Sequence, residues 1–173
     1  MSSAGAAKGK AAQKGTRIPS LGPRGEGWVA LQLALIVAIV VACWWTGGTW
    51  AGPLQSVLGL VSNVMLIGGL AVVVVGAFGL SNSFTVMPRP KEQGKLVTSG
   101  LYRFVRNPIY SGLILAMVGA SLGAGSWLAL ALTTVLAVVL DLKTRREEVF
   151  LRDRFAGYAA YAARTKKFVP GLY

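Results

Sequence analysis

Residues 100–112 read Gly-Leu-Tyr-Arg-Phe-Val-Arg-Asn-Pro-Ile-Tyr-Ser-Gly, and they stand where a basic, polar loop gives way to a long apolar run. Asn107 is a residue type that caps helix N-termini, and Pro108 is the type favoured at the first helical position. The pair predicts a helix that starts at Pro108 and enters a membrane, with Arg106 just ahead of it and Tyr110 in its first turn. The open N–H groups of such a start carry a partial positive charge. Arg106 adds a full one, so an anion would be held well there. A second reading stands beside this one: Arg106 as a basic residue of the kind that flanks membrane helices on their cytoplasmic side.

Composition sets the class. Of 173 residues, 54% are hydrophobic and only 14% charged, and the mean hydropathy is +0.57, which suits an integral membrane protein and not a soluble domain. There is no histidine. That removes imidazole acid/base chemistry, Ser-His-Asp and Cys-His arrangements and His-containing metal sites. Cys43 is the single cysteine, so no intrachain disulfide or CxxC site exists, and no metal is expected. Carboxylate chemistry has six candidates: Glu26, Glu92, Asp141, Glu147, Glu148 and Asp153.

Upstream of the opening stretch, apolar runs cover Trp28–Trp45 and Leu54–Leu80. Downstream, Ile109–Leu140 is apolar but broken by Gly-Ala-Ser-Leu-Gly-Ala-Gly-Ser at 119–126. At ~1.5 Å per residue one helix would overshoot a ~30 Å hydrocarbon core, so two helices with a tight turn are predicted. The fold expected is an all-α integral membrane protein with four transmembrane helices, at about 28–45, 54–80, 108–122 and 126–142. The last two form a helical hairpin, and a cytoplasmic helical segment, 143–173, follows. Residues 1–27 are expected to be a disordered basic tail, and 28–173 one membrane domain. Ser81–Arg106 reads as a loop with Pro88 and Pro90 keeping it extended.

Charge placement orients this frame. All 18 Lys and Arg residues fall in three segments: before the first span, between the second and third, and after the fourth. The turns at 45–53 and 119–126 hold none. The positive-inside rule then puts both termini and the central loop in the cytoplasm, and assigns the +12 charge to the membrane surface, with no nucleic-acid partner. Trp28, Trp44, Trp45, Trp50 and Trp127 are expected at the membrane interfaces. The small residues Gly112, Ala116 and Ala120, spaced by four, allow another helix to approach closely.

Leu96-Val97-Thr98-Ser99-Gly100-Leu101-Tyr102, then Val105-Arg106-Asn107-Pro108-Ile109-Tyr110-Ser111-Gly112, then Glu147-Glu148-Val149-Phe150-Leu151 with Phe155, Tyr158, Tyr161 and Pro170, form an ordered set. In these segments the chain resembles the integral membrane methyltransferases related to isoprenylcysteine carboxyl methyltransferase, which also look like phospholipid N-methyltransferases. The likeness covers roughly 79–173. Asn107 stands where the family commonly has His, and the Phe155–Tyr158 spacing is one residue short of the commonest pattern. The resemblance implies S-adenosylmethionine as cofactor, bound by Leu96, Val97, Gly100, Tyr102, Arg106, Asn107, Tyr110, Glu147 and Glu148, with Arg106 and Glu147 as the catalytic pair. It implies methyl transfer to a lipophilic acceptor that enters from the bilayer lipid. A carboxylate acceptor, already ionised and needing no base, comes first. A phospholipid amine or a thiol is the alternative, followed by a sterol-type reductase and a small four-helix transporter.

Glu147 and Glu148 cannot share one task, since neighbours on a helix point about 100° apart. Glu147 lies on the face of Leu151 and Phe155 and is expected in the pocket. Glu148 is expected to pair with Arg152 at the surface. A salt-bridge ladder of both with Lys143, Arg145 and Arg152 remains the plain alternative.

Overall fold

The computed structural model describes residues 21, 25–48, 50, 53–80 and 96–172. These form five α-helices: α1 Glu26–Trp45, α2 Pro53–Gly79, α3 Pro108–Ala124, α4 Trp127–Arg154 and α5 Tyr158–Arg164. A 3-10 turn, Gly100–Arg103, precedes α3. Among the described residues the only extended pairing is one parallel bridge, Val105 to Lys166. The tail expected at 1–27 lies almost wholly outside the described residues, as does 81–95, the loop that includes Pro88 and Pro90.

The chain is an integral membrane protein: α1, α2 and α4 are each long and apolar enough to cross a bilayer. The fourth apolar helix, α3, has 17 residues, ~25 Å at ~1.5 Å per residue, slightly under the ~30 Å hydrocarbon thickness. The expected starts and stops agree with α1, α2 and α3 to within two residues. At α4 they do not. The apolar pattern ends near residue 142, yet the helix runs on to Arg154, for 28 residues in all. That length is ~42 Å, so the charged last third extends beyond a single hydrocarbon crossing.

The hairpin expected between α3 and α4 is present, and its turn is closed by specific bonds. Gly125 takes φ 66°, the left-handed conformation glycine tolerates without strain. Ser126 then caps α4, its hydroxyl accepting from the Ala129 N–H at 3.1 Å. The end of α1 is tied to the same corner. Gly48 N–H donates to the Ala124 carbonyl at 2.7 Å, Thr46 and Ser126 hydroxyls meet at 2.6 Å, and Trp50 Nε1–H donates to Leu122 O at 2.7 Å. Trp44, Trp45 and Trp127 are exposed at this end, as interfacial tryptophans should be. Trp28, at the opposite end of α1, is buried at 3% exposure.

The core is small and mixes alanines with larger aliphatic side chains. Ile39 and Ala42 of α1, Ala116 and Met117 of α3, and Ala129, Leu136 and Leu140 of α4 form it. Helix α2 lies against α3 with backbones nearly in contact. A Cβ added at Gly69 would stand 2.5 Å from the Ala116 amide nitrogen, and one at Gly119 would stand 2.5 Å from that of Leu66. This is the close approach expected of a small-residue stripe, and Gly119 takes part in it beside Gly112 and Ala116. The outward face of α2, from Val57 to Phe78, presents large apolar side chains to the surroundings, as suits a helix bathed in lipid.

Candidate functional site

The charged end of α4, the start of α3 and the C-terminal segment meet at one end of the bundle. The segment after α5 runs beside the approach to α3. Arg106 N–H donates to Lys166 O at 2.8 Å, and Asn107 N–H donates to Lys167 O at 3.2 Å. The Ser111 hydroxyl donates to Phe168 O at 2.7 Å. Two stretches about 60 residues apart in sequence are thereby zipped together by main-chain bonds.

Arg106 is gripped on two edges. Its Nε donates to Glu148 Oε1 at 2.9 Å, and its Nη1 donates to the carbonyls of Ala162 (2.9 Å) and Thr165. Only 13% of the Arg106 side chain and 10% of the Glu148 side chain is exposed. A guanidinium suits this role because its planar fork serves a carboxylate and carbonyls at once. Arg152 approaches the other oxygen of Glu148 at 3.8 Å but is itself 60% exposed. The expected Glu148–Arg152 surface pair is therefore the minor contact, and the dominant partner of Glu148 is Arg106. Sequence spacing could not show this, because the partners lie 42 positions apart.

Glu147 points elsewhere. Its Oε1 accepts from the Tyr110 hydroxyl at 2.9 Å. The Tyr110 ring carries the Lys143 ammonium 5.1 Å from its centroid, and that ammonium donates to Gln32 Oε1 of α1 at 2.8 Å. Lys143, expected among the cytoplasmic charges, is 1% exposed. The sequence signals for this cluster were the lone Gln32 in an otherwise apolar span and the four-residue step from Lys143 to Glu147. Nothing in the sequence joined them.

Tyrosine hydroxyls hold the rest. Tyr161 donates to Tyr102 O at 2.6 Å, and Tyr102 donates to Gly76 O of α2 at 3.3 Å. Burial, and secondarily the neighbouring Tyr161, pushes the Tyr102 hydroxyl up to about 12. Burial likewise pushes Tyr161 up to about 12. Tyr158 is raised too, by burial and by the nearby Glu148. All three therefore remain protonated donors at neutral pH.

The nine sequence-predicted residues are thus divided. Arg106 and Glu148 meet in one cluster and Tyr110 and Glu147 in another, and the two are joined through the adjacent positions on α4. Tyr102 and Gly100, the latter at φ 60°, form the turn leading in. Asn107 occupies the N-cap position with Pro108 at the head of α3, but its side chain makes no capping bond. Its amide instead donates to Lys167 O at 3.4 Å, and the Ser111 N–H and hydroxyl bond to its carbonyl. Leu96 and Val97 lie half-buried in the extended segment ahead of the turn, outside this network. Thr165, Ala162 and Lys167 were not anticipated, and three of their contributions are main-chain carbonyls, which carry no sequence signal. Lys167 also pairs through its side chain with Asp141 at 2.7 Å.

The family model for phospholipid methyltransferases matches residues 55–157, more than half of the chain. Among curated proteins, the chain is similar to the cobalt-zinc-cadmium resistance protein CzcN of Cupriavidus metallidurans, at 34% identity over 129 residues, which are 72% of this chain and 53% of that one. It is also similar to the probable protein-S-isoprenylcysteine O-methyltransferases of Oryza sativa subsp. indica and subsp. japonica. Each is 36% identical over 121 residues, 66% of this chain and 61% of the rice protein. The chain therefore spans little more than half the length of the curated relatives it matches.

Proposed function

The chain belongs to the phospholipid methyltransferase family of membrane proteins, and from that premise we propose that it transfers a methyl group from S-adenosylmethionine to a lipophilic acceptor at the cytoplasmic face of the membrane. The acceptor group proposed is a carboxylate oxygen, in keeping with rice relatives that are named as O-methyltransferases. The observation that carries the reading is the side-by-side arrangement of Tyr110–Glu147 and Arg106–Glu148 at the head of α3.

The residues present fit that cofactor. Bound S-adenosylmethionine supplies a methyl group already activated on a sulfonium. Glu147 offers a carboxylate to a cationic group, and Tyr110 fixes its direction. Pro108 has no N–H and that of Ser111 bonds to Asn107 O, which leaves the Ile109 and Tyr110 N–H groups at the head of α3, beside Arg106, to face a carboxylate. The Thr144 hydroxyl, fully buried one turn before Glu148, has no partner among the described residues and would be satisfied by a polar ligand. The work left to the protein is alignment and exclusion of water, which the zipped C-terminal segment serves by covering the start of α3.

N-methylation of a phospholipid amine is the second reading. The Tyr110-held Glu147 favours it, being a carboxylate able to take a proton from an ammonium acceptor. Incubating the purified chain with methyl-tritiated S-adenosylmethionine and a membrane lipid extract separates the two. A carboxyl ester releases labelled methanol in mild alkali, whereas an N-methyl product keeps its label. Label that never leaves the cofactor in the presence of active chain and extract would overturn both.

A further inference from the structure

Lys143 and Glu147 sit four positions apart on α4, a spacing at which opposite charges commonly join. They do not join here, and none of the ion pairs among the described residues includes either of them. The Lys143 ammonium is instead turned to Gln32 of α1, at 2.8 Å, and lies over the Tyr110 ring. Glu147 keeps Tyr110 as its hydrogen-bond partner, at 2.9 Å. The lysine stem has four rotatable carbons, so this orientation must be held from outside the helix. In a buried setting an ammonium released from Gln32 would find the neighbouring carboxylate far more attractive than a ring face. Glu148, the next charge on the same helix, is committed to Arg106 and offers no alternative.

We propose that Gln32 is a positioning residue of the methyl-transfer site: by tethering the Lys143 ammonium, it prevents a closed Lys143–Glu147 ion pair and leaves the Glu147 carboxylate to Tyr110 and a bound ligand. Gln32 lies outside the segment matched by the family model, 55–157, so α1 is given a part in the chemistry beyond anchoring. The inference rests on the methyl-transfer reading of the site, and its test keeps the two apart.

The probe is S-adenosylhomocysteine, titrated by calorimetry into the full chain in lipid nanodiscs. Gln32→Leu should bind it roughly tenfold more weakly, the size expected when a charge-assisted contact is lost. Gln32→Glu, which keeps an acceptor for the ammonium, should bind within about threefold of the parent. The decisive variant is Gln32→Leu combined with Lys143→Met. With no ammonium left to close on Glu147, affinity should recover toward that of Lys143→Met alone, which a purely structural role for Gln32 would not produce. Gln32→Leu at parental affinity, or a double variant no tighter than Gln32→Leu, overturns the assignment. A parent chain that binds no S-adenosylhomocysteine overturns the methyl-transfer reading itself, and this role with it.

Discussion

In the proposed reading the two adjacent glutamates divide a folding role from a ligand role. Glu148 is nearly buried and shares its charge with Arg106 across 42 positions, so removing one partner strands the other. Breaking a buried pair in this way typically costs ~3–5 kcal/mol. Arg106→Ala and Glu148→Gln are therefore expected to lower the thermal midpoint clearly and to loosen the C-terminal segment, measurable by hydrogen exchange at Thr165–Phe168. Glu147→Gln should leave the midpoint close to the parent and reduce methyl transfer by at least roughly tenfold. Equal melting of all three variants would contradict this division. The sequence alone favours a different outcome for Arg106, with cofactor affinity falling more than stability. The Glu148 contact and the two carbonyls on Nη1 reverse that order. That the two glutamates take different partners was legible from helical spacing. The partner of Glu148 was not, because nothing local encodes a contact between the start of one helix and the end of another.

At the scale of elements, α5 is held to the turn before α3 by the Tyr161 hydroxyl on Tyr102 O. Tyr161→Phe should cost about 1 kcal/mol, the usual worth of such a bond, and should raise exchange in α5 more than in α4. Because Tyr102 and Tyr161 titrate at about 12 when folded, above an ordinary value of 10, the folded state favours their protonated forms. Their contribution is complete below pH 10 and is lost as pH rises toward 12. Detachment of the C-terminal segment on the alkaline side, followed by proteolysis, should accordingly begin above pH 10. Between α2 and α3 the limit is steric. Gly69→Leu should prevent close packing, since even a Cβ there meets backbone at 2.5 Å, and loss of the folded species on size-exclusion would report it. Helices and their approximate ends were legible because apolar runs and glycine breaks encode them. The continuation of α4 beyond the apolar run was legible from the helical spacing of Glu147 and Leu151, but its end at Arg154 was not, since Phe155 and Tyr158 keep the same spacing.

For the whole molecule, the apolar spans were legible as long apolar runs, and the described basic residues all lie just before α3 or beyond residue 142. The proposed orientation, termini inward, is testable with a Cys43→Ser background. Cysteine at Leu172, 82% exposed, should react with impermeant reagent only when the cytoplasmic side is open. Cysteine at Trp45, 85% exposed at the opposite end, should react from outside. The reversed labelling pattern would turn the molecule over and move the proposed chemistry to the other face.

The zipper between the start of α3 and the C-terminal segment also sets a schedule for biosynthesis. Arg106 finds its carbonyl at Thr165 only 59 residues later in the chain. At ~5–20 residues per second the ribosome delivers that acceptor roughly three to twelve seconds after the guanidinium has emerged. Through that interval the arginine has to remain in water, which keeps the head of α3 at the membrane surface while α3 and α4 insert as a hairpin. The Arg106 contacts can therefore close only once residues 148–165 have been made, and a nascent chain that stops short of Thr165 would lack them.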